Sequence, residues 1–253
     1  MAQKSAVFGR PLNILALLAL AIGLWGCAHV EPSAARTQWT ASDVAQRPYQ
    51  EVGKWETAIA AYEEADKTNP PPPGSIVFVG SSSIAFWKTL TEDMAPMGVL
   101  NRGFGGSKIY DLVYYANRIV WPYKPKAIVV FSGTNDIVRP SPGAPEKVEQ
   151  GFIDFIAETR AIYPGIDIHY ISISPTEARS TAYQQVAETN KKIAALAKLD
   201  DRLYFIDTAS ATTSGGLPRT DLFRNDKLHL NAKGYAVWAA IIRAHLLSIY
   251  RRN

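Results

Sequence analysis

Short apolar runs alternate with helix-like stretches along most of the chain, and this alternation constrains the fold more than any other feature. The apolar runs are four to eight residues long and cover residues 76–79, 98–101, 127–131, 166–173 and 203–206. Between and after them, the composition and periodicity predict helices at 84–90, 107–119, 147–163, 181–199 and 232–249. Apolar strands that alternate with helices predict a parallel sheet covered on both faces.

A further helix is predicted before the first strand, beginning near Pro48. Its apolar residues recur at spacings of three and four and form one stripe: Val52, Trp55, Ile59 and Tyr62. We expect these side chains to pack in the core. The prolines and glycine at 70–74 end the helix. With 47% hydrophobic and 20% charged residues, the segment 48–253 is predicted to form a single α/β domain with its own core.

The first 26 residues have the layout of a signal peptide. Lys4 and Arg10 precede an apolar stretch at 12–24. This stretch is shorter than the about 20 residues that a membrane-spanning helix needs. We therefore predict a signal peptide at 1–26, with an uncleaved anchor as the alternative.

Cys27 is the single cysteine of the chain, which excludes internal disulfides. It follows Leu24-Trp25-Gly26, which resembles the lipobox of bacterial lipoproteins, although Trp25 is bulky for its position. The resemblance implies that Cys27 is lipidated and that residues 27–47 hold the lipidated cysteine and a polar tether. We expect the protein in the bacterial cell envelope, anchored by lipid to a membrane at its periplasmic or outer-membrane face. Without lipidation of Cys27 it would be secreted.

The net charge gives no reason to expect a nucleic-acid partner. The chain carries +4, and removal of Lys4 and Arg10 leaves 25 basic residues against 23 acidic ones. Apart from the tail at 250–252, no basic run is interleaved with aromatic residues. No cluster of His, Asp and Glu has the spacing of a metal site, so neither a metal nor another cofactor is expected. Nothing in the sequence indicates an oligomeric state.

Three residue types that cooperate in nucleophilic catalysis occur in the order Ser, Asp, His. A serine cluster at 81–83 follows the first predicted strand, and Asp226 lies three residues before His229. A serine hydroxyl becomes a good nucleophile when a base takes its proton, and the base works best when a carboxylate orients it. The other histidines lie in the tether, a strand and a helix, where we expect structural roles: His29, His169 and His245.

Four polar segments follow predicted strands, at the edge where parallel sheets bind ligands. They are the serine cluster, Gly105-Gly106, Asn135 and the segment that holds Asp226 and His229. Each has a simpler explanation, since serines cap helices, glycines form tight turns and asparagine is common in turns. The glycine pair matches no phosphate-binding pattern. The convergence of four segments on one edge favours a catalytic site.

These segments resemble the sequence blocks of the SGNH (GDSL-type) hydrolases. VFVGSSSI at 77–84 is similar to the first block, NRGFGG at 101–106 to the second, GTND at 133–136 to the third and DKLHLN at 226–231 to the fifth. The resemblance implies a three-layer α/β sandwich with a five-stranded parallel sheet in flavodoxin-like order, and it implies ester hydrolysis. Ser81 is a departure, because the family commonly has an acid before the nucleophile.

The resemblance also implies roles for individual residues. Ser82 would be the nucleophile, His229 the general base and then acid, and Asp226 the group that orients the imidazole. The backbone N–H groups of Ser82 and Gly106 and the side-chain amide of Asn135 would form the oxyanion hole, where each donor is worth about 3 kcal/mol. The reaction would pass through an acyl-Ser82 intermediate.

Several alternatives remain beside this prediction. The α/β-hydrolases share the order Ser, Asp, His, but their elbow requires Gly-x-Ser-x-Gly, and Ile84 occupies the last position. A non-catalytic envelope lipoprotein that binds a glycan or lipid, and an acyltransferase with the same triad, stay open. The polar loops at 137–145 and 174–180, which contain Arg139 and Arg179, lack an apolar lid. They favour short acyl or acetyl groups on a glycan or lipid-like alcohol.

Overall fold

The computed structural model of the chain describes residues 52–250, so the predicted signal peptide, Cys27 and the tether lie outside the described residues. Five strands form the central sheet: β1 (Ile76–Gly80), β2 (Val99–Gly103), β3 (Ala127–Phe131), β4 (Asp167–Ile171) and β5 (Leu203–Ile206). They pair in parallel in the order β2-β1-β3-β4-β5. This is the flavodoxin-like order, and the predicted sheet is confirmed.

Helices cover both faces of the sheet, which confirms the three-layer sandwich. They are α1 (Glu56–Thr68), α2 (Ser82–Ala85), α3 (Leu90–Asp93), α4 (Ile109–Ile119), α5 (Ala144–Ile162), α6 (Tyr183–Ala197) and α7 (Ala232–Tyr250). One core joins α1, α4, α5 and α6 to residues such as Val77 and Val79 of β1. The other joins α2, α3 and α7 to Ile76 and Phe78. Alternate residues of one strand therefore serve opposite cores.

The predicted helix at 84–90 is wrong, because the chain makes two single turns there, α2 and α3. Ile84, Trp87 and Leu90 are buried at a spacing of three, which imitates a helix. The carbonyl of Ile84 accepts from the backbone N–H of Trp87 at 3.0 Å and from the side-chain amide of Asn101 on β2 at 2.7 Å. In a continuous helix the N–H of Lys88 would donate to this carbonyl, but it donates to the carbonyl of Phe86 at 3.0 Å.

The helix before β1 is present as α1, preceded by a 3₁₀ turn at Val52–Trp55. Trp55 and Ile59 are buried and Tyr62 packs against the same core, as predicted for the apolar stripe. The side chain of Val52 lies outside the described residues. Between β5 and α7 a small antiparallel pair forms from β6 (Thr213–Ser214) and β7 (Leu217–Pro218). No helix within residues 52–250 has both the length and the apolar character needed to cross a membrane.

Candidate active site

The carboxyl ends of β1, β2 and β3 lie side by side, with Gly80 paired in register with Gly103 and Phe131. Both glycines are needed for this close approach. A Cβ on Gly80, whose φ is +137°, would lie 1.9 Å from the carbonyl oxygen of Phe131. A Cβ on Gly103 would lie 2.3 Å from the backbone nitrogen of Ala85. The segments that follow the three strands are therefore brought to one edge.

Ser82 is the first residue of α2, directly after the turn that ends β1. Its Oγ lies 2.9 Å from Nε2 of His229. The hydroxyl of neighbouring Ser81 is buried and has no partner among the described residues. Ser81 is the residue that departs from the family pattern. Among the three serines of the cluster, Ser82 is the one that contacts the imidazole.

Asp226 orients the imidazole from the other side. Its Oδ2 lies 2.8 Å from Nδ1 of His229, and its Oδ1 accepts from the backbone N–H groups of Leu228 at 3.0 Å and His229 at 2.9 Å. Desolvation raises the pKa of Asp226, but the hydrogen bonds from His229 and Leu228 outweigh it and hold the pKa at about 2. The carboxylate is ionised at neutral pH and can hold a proton on Nδ1.

The loop that presents His229 is itself held in place. The N–H of Arg224 donates to the carbonyl of His229 at 2.7 Å, and Phe223 and Leu230 form an isolated antiparallel bridge. Lys227 has a left-handed backbone, with φ of +56°, and its ammonium group pairs with Glu177. The ring of Phe86 meets the imidazole edge to face at 5.0 Å between centroids. The short spacing from Asp226 to His229 is thus closed into a fixed turn.

Asn135 follows β3, and both ends of its amide are bonded. Nδ2 donates to the carbonyl of Ser107 at 2.9 Å, and Oδ1 accepts from Nη2 of Arg179 at 2.8 Å. Nη1 of Arg179 donates to Oγ1 of Thr134 at 2.7 Å. Because an arginine can only donate hydrogen bonds, the amide atom that faces Arg179 must be the oxygen. Nδ2 carries two N–H groups and uses one of them on Ser107, so the second is available. Arg179 belongs to the loop at 174–180, which the sequence predicts to govern specificity. Its contact with Asn135 could not be predicted, because no motif links the two residues.

Gly105 and Gly106 form the middle of a turn after β2. The N–H of Ser107 donates to the carbonyl of Phe104 at 3.4 Å, and Gly106 has φ of +82°. A Cβ built on Gly105 would lie 3.8 Å from Cβ of Ser82, which places the turn beside that serine. Within residues 52–250, neither the Ser82 N–H nor the Gly106 N–H donates to another backbone group. Both are available to a ligand.

A cleft that opens to solvent connects these groups. Polar side chains and an apolar wall line it together: Ser82, Ser83, Phe131, Thr134, Asn135, Ser174, Thr176, Arg179, Phe223, Leu228, His229, Leu230 and Trp238. Arg139 does not line it, whereas Arg179 does. The cleft holds a hydroxyl, a base and an amide donor in one place, which is the set of groups that acyl transfer requires.

The other two described histidines, His169 and His245, do not line this cleft. His169 is buried in β4, with Nδ1 at 2.9 Å from Nε2 of His245 and Nε2 at 2.8 Å from the hydroxyl of Tyr250. Burial lowers the pKa of His169 to about 3, so it stays neutral. Both residues pack as structural groups, and His29 lies outside the described residues. In the described part of the chain, no group of three or more His, Cys, Asp and Glu side chains could hold a metal ion.

Comparison with known protein families shows the family to which the chain belongs. Residues 75–237, more than half of the chain, match the model of the GDSL-like lipase/acylhydrolase family. The chain belongs to this family. The resemblance to SGNH hydrolases is thereby confirmed, and the chain is a carboxylic ester hydrolase. No curated protein matches the chain by sequence.

Solved structures agree with this fold. A GDSL-like lipase from Bacteroides thetaiotaomicron aligns with a TM-score of 0.65 at 18% identity, over 75% of this chain and 97% of the other. A Bacteroides fragilis protein provisionally described as an acylhydrolase aligns with a TM-score of 0.64 at 18% identity, over 80% and 99%. A family 3 carbohydrate esterase from Clostridium thermocellum aligns with a TM-score of 0.54 at 16% identity, over 71% and 98%. All three share the SGNH hydrolase fold with this chain.

Proposed function

We propose that this ester hydrolase works through an acyl-enzyme intermediate on Ser82. The observation that carries the proposal is the continuous hydrogen-bonded chain from Ser82 Oγ through His229 to Asp226, with distances of 2.9 and 2.8 Å. The length of both contacts is suitable for proton transfer without rearrangement. A serine that shared no base would be too weak a nucleophile.

The chemistry follows from the positions of these groups. Nε2 of His229 takes the proton of Ser82 as Oγ attacks the ester carbonyl, and the imidazolium then gives that proton to the leaving alcohol. In the second half of the reaction, His229 takes a proton from a water molecule as the water attacks the carbonyl of the acyl-enzyme. The imidazolium then returns the proton to Oγ of Ser82, and the acid is released. Ionised Asp226 stabilises the imidazolium and keeps the Nδ1 proton in place. No metal or other cofactor takes part in this scheme.

The oxyanion that forms in each step needs donors on its own side. We assign this role to the N–H groups of Ser82 and Gly106 and to Nδ2 of Asn135. The bond from Arg179 to Oδ1 of Asn135 supports the assignment, because it turns the amide nitrogen away from the guanidinium and increases its donor strength. Three fixed donors would replace the water that stabilises such a charge in solution.

The substrate that the cleft fits best is a short acyl or acetyl ester of a glycan or a lipid-like alcohol. The cleft is open and partly polar, with Arg179, Thr176 and Ser174 on its wall. The name of the Clostridium thermocellum neighbour, a carbohydrate esterase, supports a sugar alcohol. Acyl transfer to a second alcohol by the same groups, and binding of a glycan or lipid without catalysis, are the alternatives.

The location that we propose is the bacterial cell envelope. It rests on the sequence of the leader and on the position of Cys27 after Leu24-Trp25-Gly26. A lipid on Cys27 would tie the α/β domain to a membrane through the tether at 27–47. The domain would then act on esters within reach of the membrane surface.

Hydrolysis of 4-nitrophenyl acetate by the purified protein and by a Ser82→Ala variant tests the proposal. We expect the variant to lose activity by a factor of about 10³ or more, while the matched Ser83→Ala variant retains most of it. A Ser82→Ala protein with near-normal turnover would remove Ser82 from the mechanism. Addition of a sugar alcohol separates transfer from hydrolysis, since a transferase would form the sugar ester in preference to free acetate.

A further inference from the structure

We propose that Trp55, at the end of the turn before α1, is a positioning residue for the oxyanion hole. Its indole N–H donates to the carbonyl of Gly105 at 2.8 Å, although the two residues are 50 positions apart in the chain. The inference rests on the proposed function, in which the Gly106 N–H contacts the oxyanion. It gives the aromatic stripe of the N-terminal helix a role beyond core packing.

The hydrogen bond from Trp55 acts on the peptide unit between Gly105 and Gly106, which carries the N–H proposed for the oxyanion hole. The carbonyl of Gly105 and the N–H of Gly106 belong to the same planar trans peptide, in which they point in opposite directions. A donor that fixes the carbonyl on the Trp55 side therefore directs the N–H to the other side. Gly105 itself lies next to Ser82, since a Cβ on it would be 3.8 Å from Cβ of that serine.

The turn does not hold this peptide by itself. Gly106 has φ of +82° at the third position of the turn from Phe104 to Ser107, while Gly105 has no positive φ, which fits a type II turn. Types I and II differ by a flip of the central peptide, and two successive glycines oppose such a flip very little. The hydrogen bond that closes the turn is long, at 3.4 Å. A flipped peptide would turn the Gly106 N–H away from the reaction.

Trp55 is fixed well enough to prevent the flip. Its side chain is buried, and its ring meets that of Phe104 edge to face, with 6.1 Å between centroids. Farther along α1, the hydroxyl of Tyr62 donates to the carbonyl of Gly103 at 2.6 Å. The helix is also held by ion pairs to β2 and α4, from Arg102 to Asp66 at 2.5 Å and from Arg118 to Glu63 at 2.6 Å.

The carbonyl of Gly103, at the end of β2, and that of Gly105, in the turn after it, thus accept hydrogen bonds from the segment at 55–62. This segment lies before residue 75, where the match to the family begins. The catalytic loop of this chain is therefore supported from outside the matched region. Removal of the indole N–H should act on the transition state, because the oxyanion exists only there, and should leave substrate binding nearly unchanged.

The test compares Trp55→Phe with a matched control, Trp121→Phe. Both variants keep an aromatic ring and lose one indole donor, but Trp121 donates to Oγ1 of Thr159, at 3.3 Å, instead of to the loop. With 4-nitrophenyl acetate we expect kcat of Trp55→Phe to fall about 10-fold with KM within about twofold, less than the full loss of an oxyanion donor. We expect Trp121→Phe to keep the wild-type kcat.

A second measurement does not depend on activity. In protein labelled with ¹⁵N-glycine, the Gly106 amide resonance should shift or broaden in Trp55→Phe and stay in place in Trp121→Phe. Benzothienylalanine at position 55, which replaces the N–H by sulfur in a ring of the same shape, should repeat the effect if Trp55→Phe does not fold. An unmoved Gly106 resonance, or equal losses of kcat in both variants, would overturn the proposal. An inactive wild-type protein with the expected Gly106 shift would instead overturn only the proposed function.

Discussion

At the scale of single residues, the site depends on hydrogen bonds that select one orientation of each polar group. Asp226 contacts the imidazole at Nδ1 through Oδ2, while its Oδ1 accepts from two backbone N–H groups that hold the carboxylate in place. Arg179 fixes the amide of Asn135 through its oxygen. These roles could be predicted from the sequence for residues that lie in short family-like sequence blocks: Ser82, Gly106, Asn135, Asp226 and His229. Arg179 and Trp55 could not be found in this way, since their partners lie 44 and 50 positions away.

The residue whose contribution can be isolated most cleanly is Asn135. We expect Asn135→Ala to lower kcat by about 100-fold or more, because the oxyanion donor that we propose it supplies is worth that much. Asn135→Asp should be as harmful, since a carboxylate cannot donate and repels the developing charge. Steady-state kinetics with an acetyl ester measure the effect of each substitution on kcat, and urea unfolding of the same proteins measures its effect on stability. Near-normal kcat in both variants would exclude Asn135 from the mechanism.

At the scale of elements, the strand ends and the helices that follow them determine where each group lies. The alternation of apolar runs and helical stretches predicted all five strands of the sheet, and α4 to α7 begin and end within three residues of the predicted bounds. The helix at 84–90 failed because the contact of Asn101 with the Ile84 carbonyl is made between distant segments. Local periodicity carries no information about such a contact.

Asp136 connects the loop after β3 to the start of α4, and it should make stability depend on pH. Its Oδ2 accepts from the N–H of Ile109 at 3.1 Å, and burial raises its pKa from 3.8 to about 7. The folded protein therefore holds a proton that the unfolded chain releases, and the free energy of unfolding falls as pH rises from 3.8 to about 7.

The variant Asp136→Asn removes this titration and keeps the shape of the side chain. We expect the urea midpoint of the wild-type protein to decrease from pH 4 to pH 7 more steeply than that of Asp136→Asn. Asp221→Asn, at an exposed position, is the control and should follow the wild-type protein. Parallel profiles for Asp136→Asn and the wild type would show that Asp136 is ionised in the folded state across this range.

At the scale of the whole molecule, a generic sheet and triad leave specificity to the loops around the cleft. The loops at 137–145 and 174–180 contain no long apolar run, and the cleft wall carries Arg179 among polar side chains. We expect kcat/KM to be highest for acetyl to butyryl esters and to decrease for octanoyl and palmitoyl esters. Acyl-chain profiling with nitrophenyl esters measures this. A steady rise toward palmitoyl would indicate a true lipase.

Attachment of the molecule to a membrane is predicted to depend on Cys27 alone. A Cys27→Ser variant should fractionate with the soluble proteins or remain as uncleaved precursor, because no lipid can be added. A Ser33→Ala variant in the same tether is the matched control and should stay with the membrane. Cell fractionation followed by immunoblotting distinguishes these outcomes. A mature Cys27→Ser protein that remained in the membrane fraction would contradict lipid anchoring at this cysteine.

The central claim, acyl transfer through Ser82, is tested most directly by trapping the nucleophile. A fluorophosphonate reacts with a serine that a base has activated, and fragment ions of the labelled peptide distinguish Ser81, Ser82 and Ser83. We predict one adduct, on Ser82, formed at a rate that falls sharply in Asn135→Ala, with loss of ester hydrolysis in step with labelling. An adduct on Ser81 or Ser83, or full ester hydrolysis by a protein labelled on Ser82, would contradict the account.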